Sequence, residues 1–303
     1  MTVPRAEDTL PESPPVSTST GFVAGVAEAA GELWQSRELL YQLALRDIRI
    51  RYKQAVMGFG WAILMPVMVV GAGLIVRLVI VRSTGAALDT ADFGAMAAKA
   101  VCWAFFAGAL GFATASLTAN VNLVSKIYFP REVLPLASIA AQLFDSLIAA
   151  VALAIALPFL GVHVTPALVW LPVLAFLLVA LTAASGLFLS CANLFFRDVK
   201  YIVQLLLTFG IFFTPVLIEP SMLGTTGARL MMLNPLAPIL EGVRLSLGGH
   251  GLLHTITEQT ASGALIVVWE PWYLGYSAAW AILGFLVSLH IFHRLEFIFA
   301  EYL

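Results

Sequence analysis

Charge is scarce in this chain. Only 11% of its 303 residues are charged against 60% hydrophobic, with a mean hydropathy of +0.93, whereas an ordinary soluble domain carries about 25% charged residues. That balance excludes a soluble globular fold and makes the chain a polytopic membrane protein. A formal net charge of -2 gives no basic surplus, so nucleic acid is not an expected partner. Cysteine is nearly missing as well. Cys102 and Cys191 both fall within apolar runs, where a free thiol packs as a small hydrophobe, so no disulfide framework or thiolate metal centre is expected.

The motifs of catalysis are absent too. There is no GxxxxGK[ST] phosphate loop, no GxGxxG after a strand and no HExxH. Nor is there a DxD pair for a metal and sugar nucleotide, or a histidine followed four residues on by aspartate. His250 with His254, and His290 with His293, have helical spacing but no third ligand close in sequence, so no metal is expected at either. Any mechanical work must draw its energy from another protein.

What the chain does have is long apolar runs. Stretches of about 20 residues, enough to span a bilayer, fall at 60–81, 94–119, 133–160, 166–190, 201–218 and 273–295. The expected class is therefore an all-α membrane protein with six transmembrane helices. Residues 1–35, which begin rich in Pro, Ser, Thr and acid, lack a signal-peptide pattern and read as a disordered tail with a short helical lead-in. The first span would then act as an uncleaved membrane signal, and residues 36–303 form the membrane domain. Between the fifth and sixth spans, PLAPILEGVRLSL and SGALIVVW are too short to cross and read as re-entrant or interfacial helices.

Orientation follows from Lys and Arg near span ends. Of 16 such residues, Arg5 lies too far from a span and Arg77 lies within one. With six spans, ten of the rest, from Arg37 to Arg294, share one side. The other side holds four: Arg82, Lys99, Arg229 and Arg244. Both termini are expected in the cytoplasm, with residues 219–272 outside.

Just before the first span, a basic helix meets the membrane. On a helical wheel Gln42, Arg46, Arg49 and Lys53 share one face, and Tyr41, Leu45, Ile48 and Tyr52 form the adjacent apolar stripe. Such a helix should lie flat at an interface, with Asp47 pairing to Arg51 at i,i+4. Gly58 and Gly60 would turn the chain inward at Trp61. The basic cluster either receives an anionic headgroup or simply fixes topology. Within the third span, Ser138, Gln142 and Asp145 share a face that must meet protein or water. Arg77 is close enough to a span end to snorkel.

Several segments together resemble the ABC type-2 transport permeases, in particular exporters of lipid-linked polysaccharides such as O-antigens, capsules and teichoic acids. The resemblance runs from Glu38 to Leu303. It is carried in order by LALRDIRIRYKQAVMGFGWAILMP, NLVSKIYFPREVLPLA, NLFFRDVKYIV, FFTPVLI, LNPLAPILEGVR and HRLEFIFAEYL. It implies a homodimer in the bacterial cytoplasmic membrane, joined by two separate ATP-binding cassette subunits that hold ATP and Mg, with no cofactor on this chain. Arg46, Arg49, Arg51 and Lys53 become a cytoplasmic gate facing a lipid-linked headgroup. Lys126, Ile127, Tyr128, Phe129 and Arg131 become the coupling segment to the ATPase, or else Tyr128 and Phe129 anchor in the interface.

Trp103, Phe105 and Phe106 with Phe209, Phe212 and Phe213 are candidates for an aromatic sugar conduit, or for the usual aromatic belt. Gln142 and Asp145 are the intramembrane polar pair. The resemblance maps an external gate onto Asn234, Pro235, Glu241 and Arg244, the last two able to pair at i,i+3. A drug or lipid exporter on the same scaffold is the alternative within transport. A membrane enzyme of envelope synthesis and a non-transporting assembly subunit are the alternatives outside it.

Overall fold

The structure, a computed structural model, describes residues 21–53, 58, 60–84, 90–126, 129–259 and 265–299. In chain order its helices are α1 (Phe22–Gln35), α2 (Arg37–Tyr52), α3 (Gly60–Thr84), α4 (Thr90–Ala119), α5 (Val121–Lys126), α6 (Val133–Ala156), α7 (Trp170–Phe195), α8 (Val199–Gly210), α9 (Gly224–Met232), α10 (Leu236–Leu247) and α11 (Trp272–Leu295). Strands β1 (Ile256–Gln259) and β2 (Leu265–Trp269) lie between α10 and α11.

Among the described residues, four helical segments are long and apolar enough to cross a membrane: Phe93–Ala119, Val133–Leu160, Pro166–Phe195 and Trp272–Leu295. This is a multi-pass membrane protein. The second and third form a hairpin, because Gly161 adopts φ +82° and so closes the preceding helical turn in a conformation that glycine takes without strain. Two buried threonines in these spans bond within their own helix. Thr114 Oγ1 donates to Leu110 O and Thr182 Oγ1 to Leu178 O, both at 2.7 Å, which satisfies them in apolar surroundings.

The first apolar run forms α3, a helix of 25 residues. The fifth run departs from a simple span. The 12 residues of α8 and a 3-residue 3-10 turn after it reach only about 22 Å at helical rise. Thr214 is then extended, at φ -126° and ψ 154°, as a residue preceding proline must be, so Pro215 ends the helix. Lys99 also differs from a loop-edge cation. It is buried inside α4, about 9 Å past Phe93.

The segment between α8 and α11 is mixed. PLAPILEGVRLSL forms α10, nearly all of it buried, against α4 and α7. SGALIVVW is not helical as its sequence suggested. Its LIVVW part is β2, paired antiparallel with β1, because a β-branched run beside an aromatic suits a half-buried pleated surface. Trp269 is fully buried there and its indole N–H donates to Leu252 O at 2.9 Å.

Two cores hold the bundle. One packs α4, α6, α7, α10 and α11 together with β2, and includes Leu174, Ile239, Leu240 and Trp269. The other lies where α1 and α2 meet the start of α6 and the end of α11, and there Ala29 of α1 and Leu43 of α2 join Leu134, Leu187 and Phe292. Helix α1 thus packs on α11, with the Phe22 and His290 rings 4.8 Å apart.

Candidate functional site

Helix α2 begins with Glu38 in its first turn and ends with Arg49 and Arg51 in its last, charges that suit the helix dipole at each end. The face it buries is Leu43 and Ala44, while Tyr41 is 56% exposed. Of the apolar stripe read from the wheel, Leu45, Ile48 and Tyr52 are half-buried where α2 packs on α6. Successive contacts follow α6 inward. Ser138 Oγ donates to Asp47 Oδ2 at 3.4 Å, and four residues on, Arg51 Nη1 donates to Gln142 Oε1 at 2.9 Å and to Asp145 Oδ2. From Ser138 to Asp145 α6 rises about 10 Å, so the end of α2 lies well along the span.

Asp145 is the centre of this junction. Its side chain is only 9% exposed, and it also accepts from the Tyr52 hydroxyl at 2.5 Å. Burial, and then that bond to Asp145, push the Tyr52 hydroxyl up from its ordinary pKa, so it stays a donor. The Arg51 guanidinium lies 4.4 Å from the centre of the Phe112 ring, a cation–π contact. Gly108 lets α4 close on α6: a Cβ there would meet the Gln142 amide at 2.8 Å. The expected Asp47–Arg51 pair does not form, since Asp47 pairs with Arg46 at 2.9 Å and Arg51 takes the more buried acid.

Around the junction lies a cleft of about 490 Å³ between α2, α3, α4 and α6, lined by Arg51, Tyr52, Trp61, Trp103, Phe112 and Asp145 among others. Its wall is mostly apolar and aromatic, with a polar patch at one place. Gly58, at φ +49°, sits on its rim. Such a cleft suits an amphiphile that has a charged or hydroxylated part and an apolar part.

The other anticipated residues fall in different places. Arg49 and Lys53 are exposed, and Arg46 also donates to Asn120 Oδ1 at 3.1 Å. Phe105 lies in the core at 2% exposure, whereas Trp103 lines the cleft and Phe106 is half-buried. Phe209, Phe212 and Phe213 are exposed on α8 and its final turn. They do not join Trp103, although the Trp103 ring comes within 3.0 Å of where a Cβ on Gly210 would stand.

At the end of the bundle where α1 and α11 meet the start of α6, Phe129 packs on the second core, and Arg131 donates to Glu296 O and, at 3.4 Å, to Val124 O. Ile127 and Tyr128, and the side chains of Lys126 and Arg77, lie outside the described residues. Behind Arg131 are Glu132, His293, Glu296 and Glu32. Burial, and next the charge of Glu132, push Glu296 up to about 7; burial likewise raises Glu32. Sequence reading missed this group because its members come from three distant segments.

At the opposite end, Arg244 bridges Glu241 and Glu258, each at 2.5 Å. Asn234 Oδ1 accepts from the Leu236 N–H at 3.1 Å and the Pro235 carbonyl accepts from Ser277 Oγ at 2.8 Å. The Arg244 bridge ties α10 to β1, and the Ser277 bond ties the start of α10 to α11.

Helices of spanning length with a polar junction among them define a multi-pass membrane protein. The chain belongs to the ABC-2 type transporter family, whose profile matches residues 38–247. It is similar to the O-antigen export system permease protein RfbA of Myxococcus xanthus, 27% identical over 223 residues, 73% of this chain and 84% of that protein. Two proteins of the same name from Klebsiella pneumoniae are 26% and 27% identical over 276 residues, 88% of this chain and 95% of each.

Proposed function

We propose that the chain is the membrane permease of an ATP-driven exporter that carries a lipid-linked polysaccharide across the cytoplasmic membrane. The observation that carries this reading is the similarity to O-antigen export permeases over 88% of the chain. It works as a homodimer with two ATP-binding subunits, since the chain has no phosphate loop of its own. Of α8 only Val203 is buried, which leaves an apolar face for a second copy to cover. In this reading α3 and α8 complete six spans and both termini are cytoplasmic, with Phe129 and Arg131 in the coupling segment to the ATPase.

The α2–α6 cleft is where the lipid-linked substrate enters. Exposed Arg49 and Lys53 meet its anionic headgroup, while Trp61, Trp103 and Phe112 offer flat apolar faces to lipid and sugar. Arg51 serves Asp145 and holds the gate helix rather than the headgroup. The α10 cluster of Glu241 and Arg244, with Asn234 and Pro235, is the external gate.

The test is substrate-stimulated ATP hydrolysis by the purified complex in lipid nanodiscs, with native mass spectrometry of its composition. Two copies of each subunit and stimulation by lipid-linked glycan are expected. Stimulation by apolar drugs or phospholipids but not by glycan lipid would assign the cleft to a drug or lipid exporter.

A further inference from the structure

Three carboxylates and one imidazole meet where α1, the start of α6 and the end of α11 come together. His293 Nδ1 lies 3.3 Å from Glu132 Oε1 and 3.5 Å from Glu296 Oε1. One ligand atom each from Glu32, His293 and Glu296 fall within 4.8 Å of one another. Glu132 is 1% exposed, and its Oε2 has no hydrogen-bond partner among the described residues. A buried carboxylate oxygen without a donor is costly, and the nearby Arg131 is directed to the backbone carbonyls of Glu296 and Val124.

The spacings are informative. An N–H to oxygen hydrogen bond is about 2.7–3.2 Å long, so 3.3 and 3.5 Å are long for a direct bond. Around a tetrahedral ion with bonds of about 2.0–2.1 Å, neighbouring donor atoms stand about 3.3–3.4 Å apart. We propose that Glu32, His293 and Glu296 bind one divalent transition-metal ion of the zinc class, with the buried carboxylate of Glu132 beside them. Imidazole among carboxylates favours such an ion over magnesium or calcium, which take oxygen alone.

Bound there, the ion clamps α1 to the end of α11, beside Glu132 at the start of α6, directly after Phe129 and Arg131. It would set the stiffness of the segment that leads into the span. This inference is independent of what the protein exports.

The test uses the full-length, tag-free chain in lipid nanodiscs, stripped with chelator and titrated with zinc alone against a chelating indicator dye, with thermal unfolding read in parallel. One zinc per chain and a rise in unfolding temperature are expected. His293→Ala and Glu296→Gln should each weaken binding by at least about tenfold and remove the thermal rise. Glu32→Gln, on the outer helix α1, leaves the bundle core untouched and should weaken binding too. Zinc binding unchanged in Glu32→Gln and His293→Ala, or lost instead in the His250→Ala, His254→Ala variant, would overturn the proposal.

Discussion

Arg51 and Asp145 stand 94 residues apart in the chain and are joined by an ion pair between the end of α2 and the middle of α6. Tyr52 donates to the same carboxylate. The pair makes a basic helix a part of the bundle, and it uses a cation that local spacing had paired with Asp47. An isolated carboxylate at that depth would be strongly unfavourable. Two donors from one helix end satisfy it.

Removing one partner should therefore cost more than removing both. Arg51→Ala leaves Asp145 with Tyr52 alone, and the loss should be about 3 kcal/mol, the lower end of the range for a broken buried pair because Arg51 is partly exposed. The double variant Arg51→Met, Asp145→Leu should sit closer to wild type. Thermal unfolding in nanodiscs measures this; equal destabilisation by Arg51→Ala and the double variant would mean that the pair carries no coupling.

Headgroup attraction should fall on the exposed cations. Each of Arg49 and Lys53 contributes about 1 kcal/mol near an anionic surface, so Arg49→Gln, Lys53→Gln should raise the half-maximal substrate concentration by up to about thirty-fold. Added salt should shrink the difference. Substrate titration of ATP hydrolysis at two ionic strengths reads both effects, and an unchanged half-maximum would remove these residues from the headgroup site.

Docking and positioning separate in the coupling segment. Tyr128→Ala, Phe129→Ala removes apolar anchors worth about 1.5–3 kcal/mol each when buried, so capture of the ATP-binding subunit should weaken while insertion persists. Arg131→Ala acts through the backbone carbonyls it holds and should lower thermal stability as well. Co-purification of the ATPase at wild-type yield with the double variant would place docking elsewhere.

Orientation can be read with single cysteines in a chain cleared of Cys102 and Cys191. Sites at Ser125 and Arg197 should react with an impermeant reagent only from the cytoplasmic side, and Thr225 and Gln259 only from outside. Reaction of Thr225 from the cytoplasmic side alone would invert the topology.

Much of the scaffold was legible because apolar length is a local property. The runs at 133–160 and 166–190 became a hairpin of spans, and the i,i+3 spacing of Glu241 and Arg244 needed no tertiary knowledge. The junction was not legible in the same way. Asp47 and Arg51 have ideal local spacing, but a buried acid competes for the arginine with a larger desolvation debt to settle, and nothing near Arg51 in sequence announces Asp145. Position 105 illustrates the same limit: Phe105 and Phe106 look alike in sequence, and only packing decides which is core. LIVVW is too short for its period to distinguish strand from buried helix. The acids around His293 come in part from far along the chain, Glu32 from α1 and Glu132 from the start of α6, while Glu296 stands only three residues on.

The most direct test of the transport assignment is movement of the glycan itself. Proteoliposomes containing this chain and its ATP-binding subunit, with the nucleotide sites facing outward, would be loaded with lipid-linked polysaccharide in the outer leaflet and given ATP and Mg. The glycan should become protected from an added glycan-degrading enzyme, in proportion to ATP hydrolysed and not with a non-hydrolysable analogue. Full digestion despite continuing ATP hydrolysis would contradict the export of lipid-linked polysaccharide by this protein.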